Sequence, residues 1–245
     1  MINIDGKNSH LILKGNDINA DWSSDGKWIV YEVGAQIYKA PVINDVVDIL
    51  KIKQLTFEGR NFFPAWSPDG KWIAYDSNKD SPNGMNFIWK MRSDGSGKIR
   101  LAYEPKKGEI REPNWSPDGN SIVHIRYSAD FNTDASEICI MDQNGNKLKC
   151  LTFNDVMENN PKYSADGTKI VFWLSGVLWI MDSDGNNLKK LINNGNQPCW
   201  SPDGKKIAYI SWTDKGYSPQ NNGTLWIMDA DGNNKRQLTY GPKQN

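Results

Sequence analysis

Two short phrases alternate along the whole chain, and no other feature limits its fold as strongly, because a fixed-period repeat decides architecture before local propensity does. The first occurs five times: ADWSSDGKWIVY ending at Tyr31, PAWSPDGKWIAY at Tyr75, PNWSPDGNSIVH at His124, PKYSADGTKIVF at Phe172 and PCWSPDGKKIAY at Tyr209. The second lies between copies of the first: IWKMRSDGSGKIRL from Ile88, ICIMDQNGNKLKCL from Ile138, LWIMDSDGNNLKKL from Leu178 and LWIMDADGNNKRQLT from Leu225. Successive Ser-x-Asp-Gly turns start roughly 37 to 49 residues apart, the length of one four-stranded sheet with its loops.

Each phrase has a mechanical reading. In Ser67-Pro68-Asp69-Gly70, proline presets φ for the first central turn position, and glycine supplies the positive φ that a bulged type I turn requires. The turn joins a short strand ending at Trp66 to a second, Trp72 to Tyr75. The run Leu225-Trp226-Ile227-Met228 is apolar at every position, so it reads as a strand covered on both faces. Arg236 to Thr239 is the more polar outer strand. One repeat thus contains four antiparallel strands, a to d. Stacked units of this kind give an all-β β-propeller.

Full units fall at approximately 19–57, 62–103, 111–152, 159–192 and 196–240, with a c–d half unit over residues 1–14. The expectation is a single domain over 1–245, a six-position ring whose last blade is incomplete. Unpaired strand edges there favour self-association into a homo-oligomer. Trp22, Trp66, Trp115, Tyr163 and Trp200 share one repeat position, which marks packing between blades. Gly26, Gly70, Gly119, Gly167 and Gly204 share another, which marks the turn.

Composition removes several functions. Twenty-nine Lys and Arg balance 29 Asp and Glu, so the basic excess of a nucleic-acid binder is missing. No apolar run approaches the length of a membrane-spanning helix. No charged-then-apolar leader precedes the first repeat, which leaves a cytosolic protein or a cleaved leader open. Cys139 and Cys150 flank Asn144-Gly145 symmetrically. A tight hairpin would oppose them, either as a cross-strand disulfide or as two buried thiols. Cys199 stands apart.

Little reads as chemistry. The two histidines are His10 and His124, and His124 takes a place held elsewhere by Tyr or Phe. Neither histidines nor cysteines have metal-ligand spacing, so no metal and no cofactor are expected. Asp182 to Asn187 looks like a calcium loop but lacks the distant bidentate glutamate and recurs as a hairpin turn. Binding is expected where the b–c and d–a loops gather, because loops on a rigid scaffold vary freely. Long b–c loops run Ser77–Met85, Ser128–Ser136 and Thr213–Thr224. The d–a segments bring Arg60, Asn61, Phe62, Arg111, Glu112, Glu158, Asn159 and Gln197 to the same side, with Trp212 and Tyr217 from a long loop. Arginines among carboxylates and amides suit a peptide terminus or an acidic side chain; the plainer reading has these groups satisfying loop backbone.

The paired phrases resemble those of the TolB-like propeller family, whose repeats carry Trp-Ser-Pro-Asp-Gly, an apolar strand and a later Met-Asp-x-Asp-Gly. The resemblance covers nearly the whole chain. It implies a six-bladed propeller that binds proteins or peptides, periplasmic or secreted, and does not by itself imply a reaction. A carbohydrate-binding or carbohydrate-active propeller is the alternative, with Tyr217, Trp212, Phe62 or Trp173 stacking on sugar and Glu112 and Glu158 as carboxylates. A third reading is a structural repeat whose interest lies in assembly.

Overall fold

The computed structural model describes residues 5, 7, 19–101, 108–127, 135–211 and 223–239. They fall into two compact units, Ile12–Met157 and Met1–Leu11 with Glu158–Asn245, and each is treated by itself. The first contains three blades and the second contains two, so the β-propeller assignment holds at the level of the blade. Five sheets are formed, each in strict antiparallel order. The half blade expected over 1–14 lies outside the described residues except for Asp5 and Lys7. Five blades, rather than five and a half or six, are what the described residues build.

Blade one has strands a to d at Ala20–Trp22, Trp28–Val33, Gln36–Ile43 and Lys53–Gln54; blade two at Asn61–Trp66, Trp72–Ser77, Phe87–Arg92 and Ile99–Arg100; blade three at Ile110–Trp115, Ser121–Tyr127, Ser136–Asp142 and Lys149–Cys150. Blade four uses Glu158–Tyr163, Lys169–Leu174, Val177–Asp182 and Lys189–Asn193; blade five uses Gly195–Trp200, Lys206–Ser211, Thr224–Asp229 and Arg236–Gln237. One addition had no counterpart in the repeat. Strand c of blade one runs on to Ile43, turns through Asn44 and Asp45, both at positive φ, and pairs with Val46–Val47.

The a–b turn explains why its four residues recur. In blade two the Gly70 amide donates to the Ser67 carbonyl at 2.9 Å, and the Ser67 hydroxyl donates to Asp69 at 2.7 Å while accepting from the Trp72 amide at 2.9 Å. Asp69 also accepts from the Lys71 amide at 3.0 Å. The same set forms around Ser23 in blade one and Ser164 in blade four. The five turn glycines have φ between 67° and 74°, so the conformational reason for glycine is met in every copy.

Inter-blade packing supplies the core. Val30, Ile37 and Leu55 of blade one meet Trp66, Ile73, Tyr75, Trp89 and Met91 of blade two. Ala65, Ala74 and Ile88 of blade two meet Ile110, Trp115, Ile122 and Met141 of blade three. In the second unit Val171, Leu178, Ile180 and Leu191 meet Ile207, Tyr209 and Met228. The strand-a tryptophans act as expected where a preceding blade exists in the same unit. Trp115 Nε1 donates to the Ala65 carbonyl and Trp200 Nε1 to the Lys162 carbonyl, both at 3.2 Å. Trp22 begins its unit's first blade and stays 38% exposed. Cys139 and Cys150 are directly opposed on strands c and d of blade three and are bonded as a disulfide; Cys199 is exposed and outside that bond.

Candidate functional site

Four strand-a segments share an irregularity. Phe63, Glu112, Asn160 and Gln197 all have positive φ, between 48° and 58°, and each precedes a proline. In blade two, Phe62 pairs with Asp76 and Ala65 with Ala74, so Phe63 and Pro64 together oppose Tyr75 alone. This is a bulge, and it recurs at the same place in blades three, four and five. Non-glycine residues at positive φ cost on the order of 1–3 kcal/mol and gather where a chain must re-aim its groups. Here the bulge turns one amide out of the ladder.

In the first unit those amides and side chains meet buried carboxylates. Strand b of blades one and two places Glu32 and Asp76 directly after the core tyrosine, a position taken by Ile125, Trp173 and Ile210 in the other blades. Glu32 is buried. It accepts from the Phe63 amide at 2.7 Å and from the Asn19 side chain at 3.0 Å, so one carboxylate caps the bulge.

Asp76 has another task. It is fully buried, and its Oδ2 accepts from Arg111 Nε at 3.0 Å while Oδ1 has no hydrogen-bond partner. Burial, with added repulsion from Glu112 and Glu32, pushes its carboxyl up to about 7 against the pull of Arg111. The Arg111 guanidinium lies 5.9 Å from the Phe62 ring centre and 5.7 Å from that of Phe63, with Glu109 3.9 Å away. Burial opposes the charge on Arg111, yet Asp76 and Glu109 raise its pKa above the ordinary value. Arg60 is exposed and stands 5.5 Å from the same Phe62 ring. Tyr127 borders the group; burial first, then Glu112, raises its hydroxyl to about 12.

Of the sequence-predicted residues, the first unit brings Arg60, Phe62, Arg111 and Glu112 into one cluster. Asn61 is buried and donates to the carbonyls of Glu58 at 3.0 Å and Gly59 at 3.3 Å, so its work is to hold loop backbone. In the second unit Glu158 is fully buried, Asn159 half-buried and Gln197 exposed on its bulge. Trp212 and Tyr217 lie outside the described residues, as does most of the Ser128–Ser136 loop. The residues that sequence reading missed are Glu32, Phe63, Asp76 and Tyr127. A usable signal existed for two of them: a carboxylate in only two of five copies of a strand-b position.

His124 sits in the core as a strand residue. It is wholly buried with both ring nitrogens unpartnered, and burial pushes its imidazole down to about 4. Among the described residues no group of three or more His, Cys, Asp or Glu is arranged to hold a metal ion.

No family model matches the chain. An uncharacterised protein of Agrobacterium fabrum is 27% identical over 161 residues, which is 54% of this chain and 53% of that protein. The chain therefore spans about half the length of that relative. Among solved structures, a protein from Agrobacterium tumefaciens described as a putative TolB superposes with a TM-score of 0.77 at 22% identity, covering 91% of this chain and 80% of the other. TolB from Acinetobacter baumannii gives 0.74 at 25% identity, covering 94% of this chain and 56% of that one. With the Trp-Ser-Pro-Asp-Gly and Met-Asp-x-Asp-Gly phrases in place, these neighbours make the chain a TolB-like β-propeller.

Proposed function

We propose that the chain is a non-catalytic binding scaffold that recognises a protein or peptide through the Arg60–Phe62–Arg111 cluster. The observation that carries this reading is Arg111 itself. A guanidinium is held at Nε by a buried carboxylate and framed by two aromatic rings, on strands whose bulges fix the geometry. Such pre-organisation lowers the ordering cost of binding, and arginine beside an aromatic frame is the usual composition of an interface anchor. Arg60, exposed and 5.5 Å from the same ring, adds a second cation for a carboxylate.

The buried acid makes the site responsive to pH. Protonating Asp76 removes a competitor for Arg111, so an acidic peptide binds more tightly as pH falls from 8 to 6. A phage-displayed random peptide library, selected on the chain at pH 6.5, tests the proposal. Enriched sequences should carry an acidic side chain or a free terminal carboxylate, and the Arg60→Ala/Arg111→Ala double variant should weaken them at least tenfold. Enrichment that survives both substitutions removes the cluster from the site. The absence of any selective enrichment removes the function.

A further inference from the structure

Blades four and five are docked as blades two and three are, but blade four lacks the tryptophan that fills the slot. The tryptophan on strand a donates to the equivalent carbonyl in both pairs, at 3.2 Å. A second framework contact recurs between blades one and two and between blades four and five. There the strand-d lysines, Lys53 and Lys189, donate to the carbonyls of Asp94 and Asp231, at 2.7 and 3.1 Å. At the first position of strand b, Trp28 and Trp72 pack against the two inter-blade clusters of the first unit. Each carries a lysine over its ring, Lys39 at 4.7 Å and Lys90 at 4.8 Å. Blade four has Lys169 in place of Trp72, Ile180 in place of Lys90 and Ala165 in place of Pro68.

The result is a cleft of about 480 Å³ within the second unit. Ile180, Met181, Leu191 and Trp200 line its apolar part, and Lys169 and Asp166 stand among the polar residues of its lining. Those polar groups are already occupied: Lys169 pairs with Asp182, and Asp166 accepts from Ser164 and Thr168. Exposed polar residues, among them Asp166, Thr168, Asn187 and Asp231, form the rim of the cleft, and a concave apolar floor with a few polar groups around it is the composition of a small-molecule site. Its size is that of a ligand pocket.

We infer that the cleft between blades four and five is a binding site for a planar aromatic ring of about indole size, filling the space that Trp72 fills from within in the sister slot. The arrangement is inverted: the cation, Lys169, comes from strand b and lines the cleft, and the ring comes from the ligand. This site is separate from the Arg111 cluster and does not depend on it.

Amide resonances of the isotopically labelled chain, followed during titration with indole, test the assignment. Saturable shifts are expected at Thr168, Gly204 and Ala230. Lys169→Trp fills the slot covalently and should weaken indole at least tenfold; Ile180→Lys should do so without adding an indole, which guards against a misfolded first variant. Lys206→Trp, at the same repeat position of blade five and outside the cleft lining, should leave the titration unchanged. N-acetyltryptophanamide in place of indole separates the sources: equal binding points to a peptide side chain, and lost binding to a free small arene. Absence of saturable shifts in the unsubstituted chain, or folded Lys169→Trp and Ile180→Lys variants that bind indole undiminished, overturns the inference.

Discussion

Acid should destabilise this protein through one histidine, and replacing that histidine by phenylalanine should remove the effect. His124 occupies the strand-b position where the other blades bury Tyr31, Tyr75, Phe172 and Tyr209. It is fully buried, neither ring nitrogen has a partner, and burial holds the imidazole at about 4, against about 6.5 in an unfolded chain. A depressed histidine leaves stability intact above pH 6.5. It takes stability away as pH falls from there through about 4, because only the unfolded state accepts the proton. At pH 4.5 the unfolded imidazole is nearly all charged while the folded one is mostly neutral. The linkage then removes about 2.5 kcal/mol relative to pH 7, at about 1.4 kcal/mol per factor of ten. With a urea slope of about 1–3 kcal/mol per molar, that moves the unfolding midpoint by about 1–2.5 M. Urea melts of the parent and of His124→Phe at pH 7 and 4.5 give the answer by difference, since carboxylates and His10 titrate alike in both. The variant should also gain about 1–3 kcal/mol at pH 7 from losing two unsatisfied buried nitrogens. If both proteins lose the same stability on acidification, the buried-histidine argument is wrong.

Three further outcomes are expected. Trp66→Ala, which empties a site 8% exposed in the cluster joining blades one and two, should cost about 3–5 kcal/mol; an unchanged Tm would contradict its packing role. Gly145→Ala should be far more damaging than Gly26→Ala. A Cβ at position 145 would lie 2.1 Å from the Leu101 carbonyl oxygen, whereas position 26 opens on empty space and its cost is the left-handed backbone alone, about 1–2 kcal/mol; equal melting temperatures would refute the close approach. Reduction of the Cys139–Cys150 bond, which closes a loop of 11 residues, should lower stability by about 2–3 kcal/mol on the chain-entropy model, read as a Tm difference with and without reductant.

The blades were legible because their signals are local. A turn of Ser-x-Asp-Gly needs only its own four residues and the next strand, and an all-apolar run such as Leu225 to Met228 marks burial on both faces. The bulges were hidden, because a residue before proline is ordinarily pushed to extended backbone; nothing in Phe63-Pro64 alone says that φ is positive. Only the recurrence of Pro64, Pro113, Pro161 and Pro198 two residues before the aromatic hinted at it. The contact between Asp76 and Arg111 spans 35 residues and follows from blade stacking, which no window of sequence contains. Loop position places Arg60, Phe62, Arg111 and Glu112 near one another in the first unit. Asn61 donates to loop carbonyls, and a buried amide looks the same in sequence whether it meets ligand or backbone. The half blade expected over 1–14 rests on a phrase that matches only part of the repeat, and five sheets account for the described strands.

The brevity of the d strands bears on how such chains avoid one another. In blades one, two, three and five the d strand pairs over two residues and includes a Lys or Arg, too little open ladder for a passing chain to zip onto. Blade four departs from this, with a five-residue margin at Lys189–Asn193. Lys189 and Lys190 together put like charge on that longer margin, the kind of residue that opposes pairing with a second chain.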